Sequence, residues 1–314
     1  MKLAIRYIAG TAGAIALALG CVPVSAQPVQ STVNVESAKG AALPVEQPVS
    51  GHPALWKVAD EDTTIFLFGT VHALPPGKSW FDDTIARALA SSDELVTELD
   101  QVGHDSAKID FASKALLPEG QTLRGLMAPE DLLSYEQAMA QAGLPVAVFD
   151  RYEPWYAGLM LSIVPVMRQG YSPDVGVERV LVQNFDPVKS FGALETPEFQ
   201  VSLFDTMPME EQLSFLRSAV DSVPDMMEKL NQMVDEWLKG DAEQLATLMN
   251  EQEDDPAVME RFLTSRNRTW AGWIDHRLDQ PGTVFIAVGA GHLAGPGSVQ
   301  EQLAKRGIES DRVQ

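Results

Sequence analysis

Apolar positions along this chain fall into two kinds of run. Short β-branched and aromatic runs cluster towards the two ends, and longer runs with helical spacing fill the middle. Ala54–Ala59 (ALWKVA) and Thr63–Gly69 (TTIFLFG), split by three acids, predict a hairpin. Ser79–Ser92 puts Ile85, Ala88 and Leu89 on one helical face behind a first turn of acids, with Ser79 as the expected N-cap. Glu94–Asp100 (ELVTELD) reads as a strand, and Ala128–Gly143 as a helix closed by a glycine. Val175–Phe185 predicts a further helix, and Val188–Thr196 (VKSFGALET) a return to strand. From Pro197 to Leu278 the spacing is helical, each segment opening on Pro or Asp. Thr283–Gly289 (TVFIAVG) is then a buried strand, Gly295–Gly307 a closing helix, and Ser310–Gln314 an edge strand. No repeat of solenoid period is present. Strand-rich ends around a helical middle predict an α/β or α+β fold: a mixed central sheet, surrounding helices and a long helical insertion at about 197–280.

Four of these strands stop in the same way. Each apolar run ends in a side chain able to bind metal: His72, Glu98 with Asp100, Glu195, and His292. Two of the endings repeat one pattern, Gly69-x-x-His72 and Gly289-x-x-His292. The glycines predict a sharp bend as the chain leaves the strand. Ligands of open sheets bind beyond the carboxyl ends of the strands. If the four strands lie parallel and adjacent, their last residues meet on one rim. Two imidazoles and one or two carboxylates suit a borderline divalent ion, Mn²⁺, Co²⁺ or Zn²⁺. Such an ion lowers the pKa of bound water, and a carboxylate off the metal can act as general base. Arg266 and Asn267, on an expected helix, either belong to a solvated face or turn to the site to hold a carboxylate or an oxyanion.

Composition narrows the partners. The 314 residues carry a formal net charge of -21, with no basic stripe for nucleic acid. The N-terminus, with Lys2, Arg6, a short apolar run and VSA before Gln27, has the form of a cleaved export signal over residues 1–26. Lipidation at Cys21 is the alternative. Cys21 is the only cysteine, so the mature chain has neither disulfide nor thiol nucleophile, which suits a periplasm or a secreted protein. Residues 27–50 read as a disordered linker, the folded domain as 51–314, and no span is expected in the mature chain.

Other motifs fall away. His72–Ser79 (HALPPGKS) resembles a phosphate loop, but its first glycine is a histidine and two prolines remove amides. There is no H-E-x-x-H and no G-x-S-x-G. His52, His104 and His276 lack the strand-end context and are read as surface or structural.

On ALWKV, FLFGTVHALP, ELVTELD, GALET with EFQ, SRNRTWAGWI and AVGAGHLAGPGSV, the chain resembles the TraB/GumN family, which includes the Tiki metalloproteases. The resemblance spans about residues 52–313. It implies a sheet of two pseudo-symmetric halves, shared in outline with erythromycin esterases and a haem-binding iron-uptake lipoprotein. It also implies metal-dependent proteolysis through His72, Glu98 and His292, with Glu195, Arg266 and Asn267 as further motif positions. One region departs from the pattern: the stretch before the LET triplet keeps Glu178 and Lys189 but not the family's small residues. The expected activity is therefore an exported metal-dependent hydrolase acting on peptide or protein. A periplasmic haem or metal carrier and a metal-independent esterase, with His72 as base, are the alternatives.

Overall fold

The computed structural model describes residues 49–101, 111–250 and 256–314. The expected export signal, most of the expected linker, His104 and residues 251–255 lie outside the described residues. The strands are β1 (Val49–Ser50), β2 (Leu55–Ala59), β3 (Thr63–Thr70), β4 (Lys78–Ser79), β5 (Glu94–Thr97), β6 (Ser190–Ala193), β7 (Gly282–Gly289) and β8 (Asp311–Arg312). Six of them form one mixed sheet in the order β6-β5-β7-β3-β2-β8. The neighbours β6, β5, β7 and β3 are parallel, while β2 and β8 complete the sheet antiparallel. β1 pairs with β4, so regular structure already begins at Val49, inside the expected linker.

Alternation along β3 feeds two cores. Ile65 and Leu67 pack on one face with Val284, Ile286, Trp270 and Leu303. Phe68 packs on the other with Leu55, Phe285, Ile85 and Trp237. The first face is covered by α11 (Ser265–Leu278) and α12 (Val299–Ala304). The second is covered by α1 (Asp83–Ser91), α5 (Val177–Asn184), α8 (Met226–Lys239) and α9 (Ala242–Asn250). The N-cap of α1 is Asp82, whose carboxylate accepts from Thr84 and Ile85 N–H at 2.9 and 3.0 Å, and not Ser79, which lies in β4.

A third core contains no strand of the sheet. It joins α2 (Phe111–Lys114), α3 (Pro129–Gln141) and α4 (Pro154–Arg168) to α6 (Pro197–Asp205) and α7 (Met209–Ser222). The helical body thus draws on both sides of β6, not only on the expected segment from about 197 to 280. The stretch that is α4 predicts no element by periodicity, because every residue from Pro154 to Ser162 is apolar or buried. A helix buried on all sides has no polar face to set a period. Among the described residues no helix is long and apolar enough to cross a membrane.

Between α9 and α11 lies α10 (Pro256–Met259), followed by a π-helical turn, Glu260–Thr264. Such turns are rare and recur beside functional sites.

Candidate functional site

Because β6, β5, β7 and β3 run parallel, their carboxyl ends share one rim, with Thr70 of β3 opposite Gly289 of β7. His72, Glu98 and His292 are 3%, 4% and 1% exposed, and the Glu195 side chain is likewise buried. Asp100, the other acid after β5, is exposed.

The centre of the cluster is Arg266. Its Nε and Nη2 donate to the two oxygens of Glu195, each at 2.7 Å, and Nη2 also donates to Glu98 Oε2 at 2.8 Å. Nη1 donates to His292 Nε2 at 3.1 Å and to the Phe262 carbonyl at 3.2 Å. Burial works against the charge, but Glu98 and Glu195 outweigh it and raise the guanidinium pKa further. Arg266 and Asn267 are 2% and 0% exposed, so the solvated-face reading of this helix does not hold.

Each remaining group has a partner that fixes it. Glu98 Oε1 accepts the Gly289 N–H at 2.7 Å, tying the end of β5 to the second histidine motif. Gln200, from α6, donates to Glu195 Oε2 at 3.0 Å and Glu98 Oε2 at 3.3 Å. Gln200 is a site residue the spacing argument missed, although it closes the EFQ triplet on which the resemblance rests.

The two imidazoles are set differently. Arg266 can only donate, so His292 Nε2 accepts, and His292 Nδ1–H donates to Asn267 Oδ1 at 2.6 Å. Asn267 Nδ2 in turn donates to the Gly297 carbonyl at 2.8 Å. The ring also packs on Trp270, centroids 4.4 Å apart. Burial first, then Arg266, then His72 hold the His292 pKa well below its ordinary 6.5. His72 instead turns Nδ1 to the Glu178 carboxylate, which also accepts from the Thr70 hydroxyl at 2.5 Å. Burial opposes the Glu178 charge, but His72 and these hydrogen bonds bring its pKa below the ordinary value.

The chain does turn after both motif glycines, in a bend at His72 and a 3-10 turn at Ala290–Leu293, and neither turn needs a left-handed glycine. Positive-φ glycines include Gly295 and Gly297 but neither Gly69 nor Gly289. A Cβ on Gly69 would meet Ala290 Cα at 3.0 Å and Cβ at 3.1 Å, so Gly69 lets the two motifs touch. His52 and His276 lie on the surface, His52 bonded to Asp82 at 2.8 Å.

This geometry bears on a divalent ion in two ways. Both histidines turn Nδ1 to an oxygen, the orientation in which Nε2 serves a metal. The carboxylates fit less well, because Glu98 and Glu195 already serve the guanidinium, which also takes the His292 Nε2 lone pair. Among the described residues no group of three or more His, Cys, Asp or Glu side chains is spaced to hold an ion.

The TraB/PrgY/gumN family model matches residues 54–312, which carry the sheet and every residue of this cluster. The chain belongs to that family. An uncharacterised protein of Treponema pallidum (strain Nichols) is 23% identical over 273 residues, covering 80% of each chain. The uncharacterised protein YbaP of Escherichia coli (strain K12) is 23% identical over 239 residues, covering 76% of this chain and 86% of its own. No solved structure matches. These relatives carry no named activity.

Proposed function

We propose that this family member is an exported metal-dependent hydrolase, with peptides or proteins as its substrates. The observation that carries the reading is the pair of buried histidines, each anchored through Nδ1, at the carboxyl rim of four parallel strands. Buried, oriented imidazoles beside carboxylates suit water activation better than they suit packing. His72 and His292 are the residues that would hold the ion, His292 only once Arg266 Nη1 no longer donates to its Nε2, and the ion would lower the pKa of bound water. Glu98 and Glu195, joined through Arg266, would set the charge of the site, and Asn267 keeps His292 in the tautomer with Nε2 facing inward. An open cleft of about 700 Å³ is lined by Trp56, Leu293, Pro296 and Arg312 among others, and none of His72, Glu98, Glu195, Arg266 and His292 is in its walls. Export rests on the sequence of residues 1–26.

The test is cleavage of a randomised peptide library by the purified mature chain with Mn²⁺, Co²⁺ or Zn²⁺, against His72→Ala and His292→Ala. Cleavage lost in both variants and on chelation is the expected result. No cleavage by the unaltered chain with any of the three metals, or equal cleavage by all three proteins, would overturn it.

One observation favours a second reading. Because Arg266 occupies the carboxylates, the His72–Glu178 pair could serve as a general base without metal, as in an esterase. Chelator-resistant turnover that still needs His72 and Glu178 would select it.

A further inference from the structure

The open cleft of about 700 Å³ is assembled from parts far apart in the chain. β2 supplies Trp56, α9 supplies Thr247, the 3-10 turn of the second histidine motif and the loop after it supply Leu293 and Pro296, and β8 supplies Arg312. We propose that this cleft binds the C-terminal carboxylate of an apolar peptide, with Arg312 as the anchor. This goes beyond the hydrolase reading, since the walls hold none of the buried cluster and the property at stake is binding, with or without turnover.

Arg312 decides the polar end of the ligand. It lies opposite Trp56 in the β2–β8 pair, and its guanidinium Cζ is 4.9 Å from the indole centre. Stacking holds the plane of the fork, and Nη2 donates to the Gly240 carbonyl at 2.6 Å. Among the described residues Nε and Nη1 meet no acceptor, and no carboxylate pairs with the guanidinium. Burial lowers its pKa, and Asp241, which is not in the cleft walls, offsets this only in part. A partly desolvated guanidinium without a counter-ion is a ready partner for a carboxylate. Glu243, exposed, is the acid in the described walls, so the cleft has one charge of each sign and suits a single negative group better than a polyanion. The walls decide the rest. Trp56, Leu293 and Pro296 offer apolar surface, and Thr247, Ser298 and Ser310 add hydroxyls. Apolar side chains match the first set and peptide amides the second, whereas a fatty acid has no use for the hydroxyls. The volume falls in the ordinary range for sites of drug-sized ligands, which admits a short peptide.

The probe is N-acetyl-trileucine, as the free acid and as its C-terminal amide, titrated calorimetrically into the purified chain with chelator present. The expected result is that the acid binds about tenfold tighter than the amide or better, the worth of a hydrogen bond to a charged group. Arg312→Gln should weaken the acid by about tenfold and leave the amide unchanged. Thr247→Trp, which fills the cleft from an exposed position, should weaken both. Equal affinity for acid and amide would overturn the proposal. So would an unchanged affinity for the acid in Arg312→Gln, or no binding at millimolar peptide. Decanoate binding tighter than the acid peptide would give the cleft a different occupant, and would overturn it as well. If Arg312→Gln does not fold, Thr247→Trp decides, and an unchanged affinity for the acid there overturns the proposal. Each readout is binding and none is cleavage, so failure here and failure of the hydrolase reading are separable.

Discussion

The two Gly-x-x-His elements share a spacing and lie on neighbouring parallel strands, yet their histidines live in opposite electrostatic surroundings. His72 faces the carboxylate of Glu178, whereas His292 faces the neutral amide of Asn267 and a guanidinium. The first motif leaves β3 without regular structure and packs its backbone against the start of α5, where Val177 N–H donates to the Val71 carbonyl at 3.0 Å. The second winds into one 3-10 turn, Ala290–Leu293, and is held by side chains of α11. A repeated backbone pattern therefore delivers two histidines to one rim, and the helices packed above decide what each can do there.

The largest effect should come from closing the gap beneath the first motif. A Cβ on Gly176 would lie 2.0 Å from the His72 carbonyl oxygen. Backbone cannot yield like a flexible side chain, so Gly176→Ala should cost about 3 kcal/mol or more in denaturant unfolding. An unchanged midpoint would mean that α5 and the first motif are not firmly docked.

The second effect separates the motifs by pH. His292 stays neutral in the fold well below its ordinary 6.5, while the unfolded chain takes up a proton there. The unfolded state then binds more protons, so stability is full above about pH 6.5 and falls as the pH drops below it. The slope from this group is at most about 1.4 kcal/mol per pH unit. His292→Gln should remove that slope, and Asn267→Asp should flatten it by giving His292 a carboxylate like that of His72. Unfolding curves measured at intervals from pH 7 to 5 test both, and an unaltered slope in His292→Gln would assign the effect elsewhere.

Third, Gly69→Ala pushes the motifs apart at Ala290 and should cost about 1–2 kcal/mol, with a matching fall in Tm. The smallest effect is Thr70→Val, which removes one hydrogen bond to Glu178 and should cost about 1 kcal/mol. A larger loss from Thr70→Val than from Gly69→Ala would reverse this ranking of packing over hydrogen bonding.

Much of this arrangement was legible because local chemistry controls it. Short β-branched and aromatic runs marked β2, β3 and β7, and the polar residue ending each of four apolar runs marked the rim. The boundary of α1 was missed because Ser79 and Asp82 are equally good caps by type, and only Asp82 is placed to accept from Thr84 and Ile85. Helix α4 was missed because its burial leaves no periodic signal. Gln200 and Glu178 were quoted only as parts of longer motifs, since a helix-borne polar side chain looks the same whether it faces water or a buried carboxylate.

Side-chain type and spacing by themselves determined that two histidines and two glutamates end four strands, with Arg266 and Asn267 together on a helix. Strand order and partner choice came only with the tertiary structure. Parallel neighbours are joined by crossovers of many residues, so no local pattern says that β7 sits between β5 and β3. Nor does one say that Arg266, brought in after a π-helical turn, reaches Glu98, Glu195 and His292 at once. Those contacts join residues 26, 71 and 168 positions apart, and their energy depends on burial that exists only once the chain has folded around them.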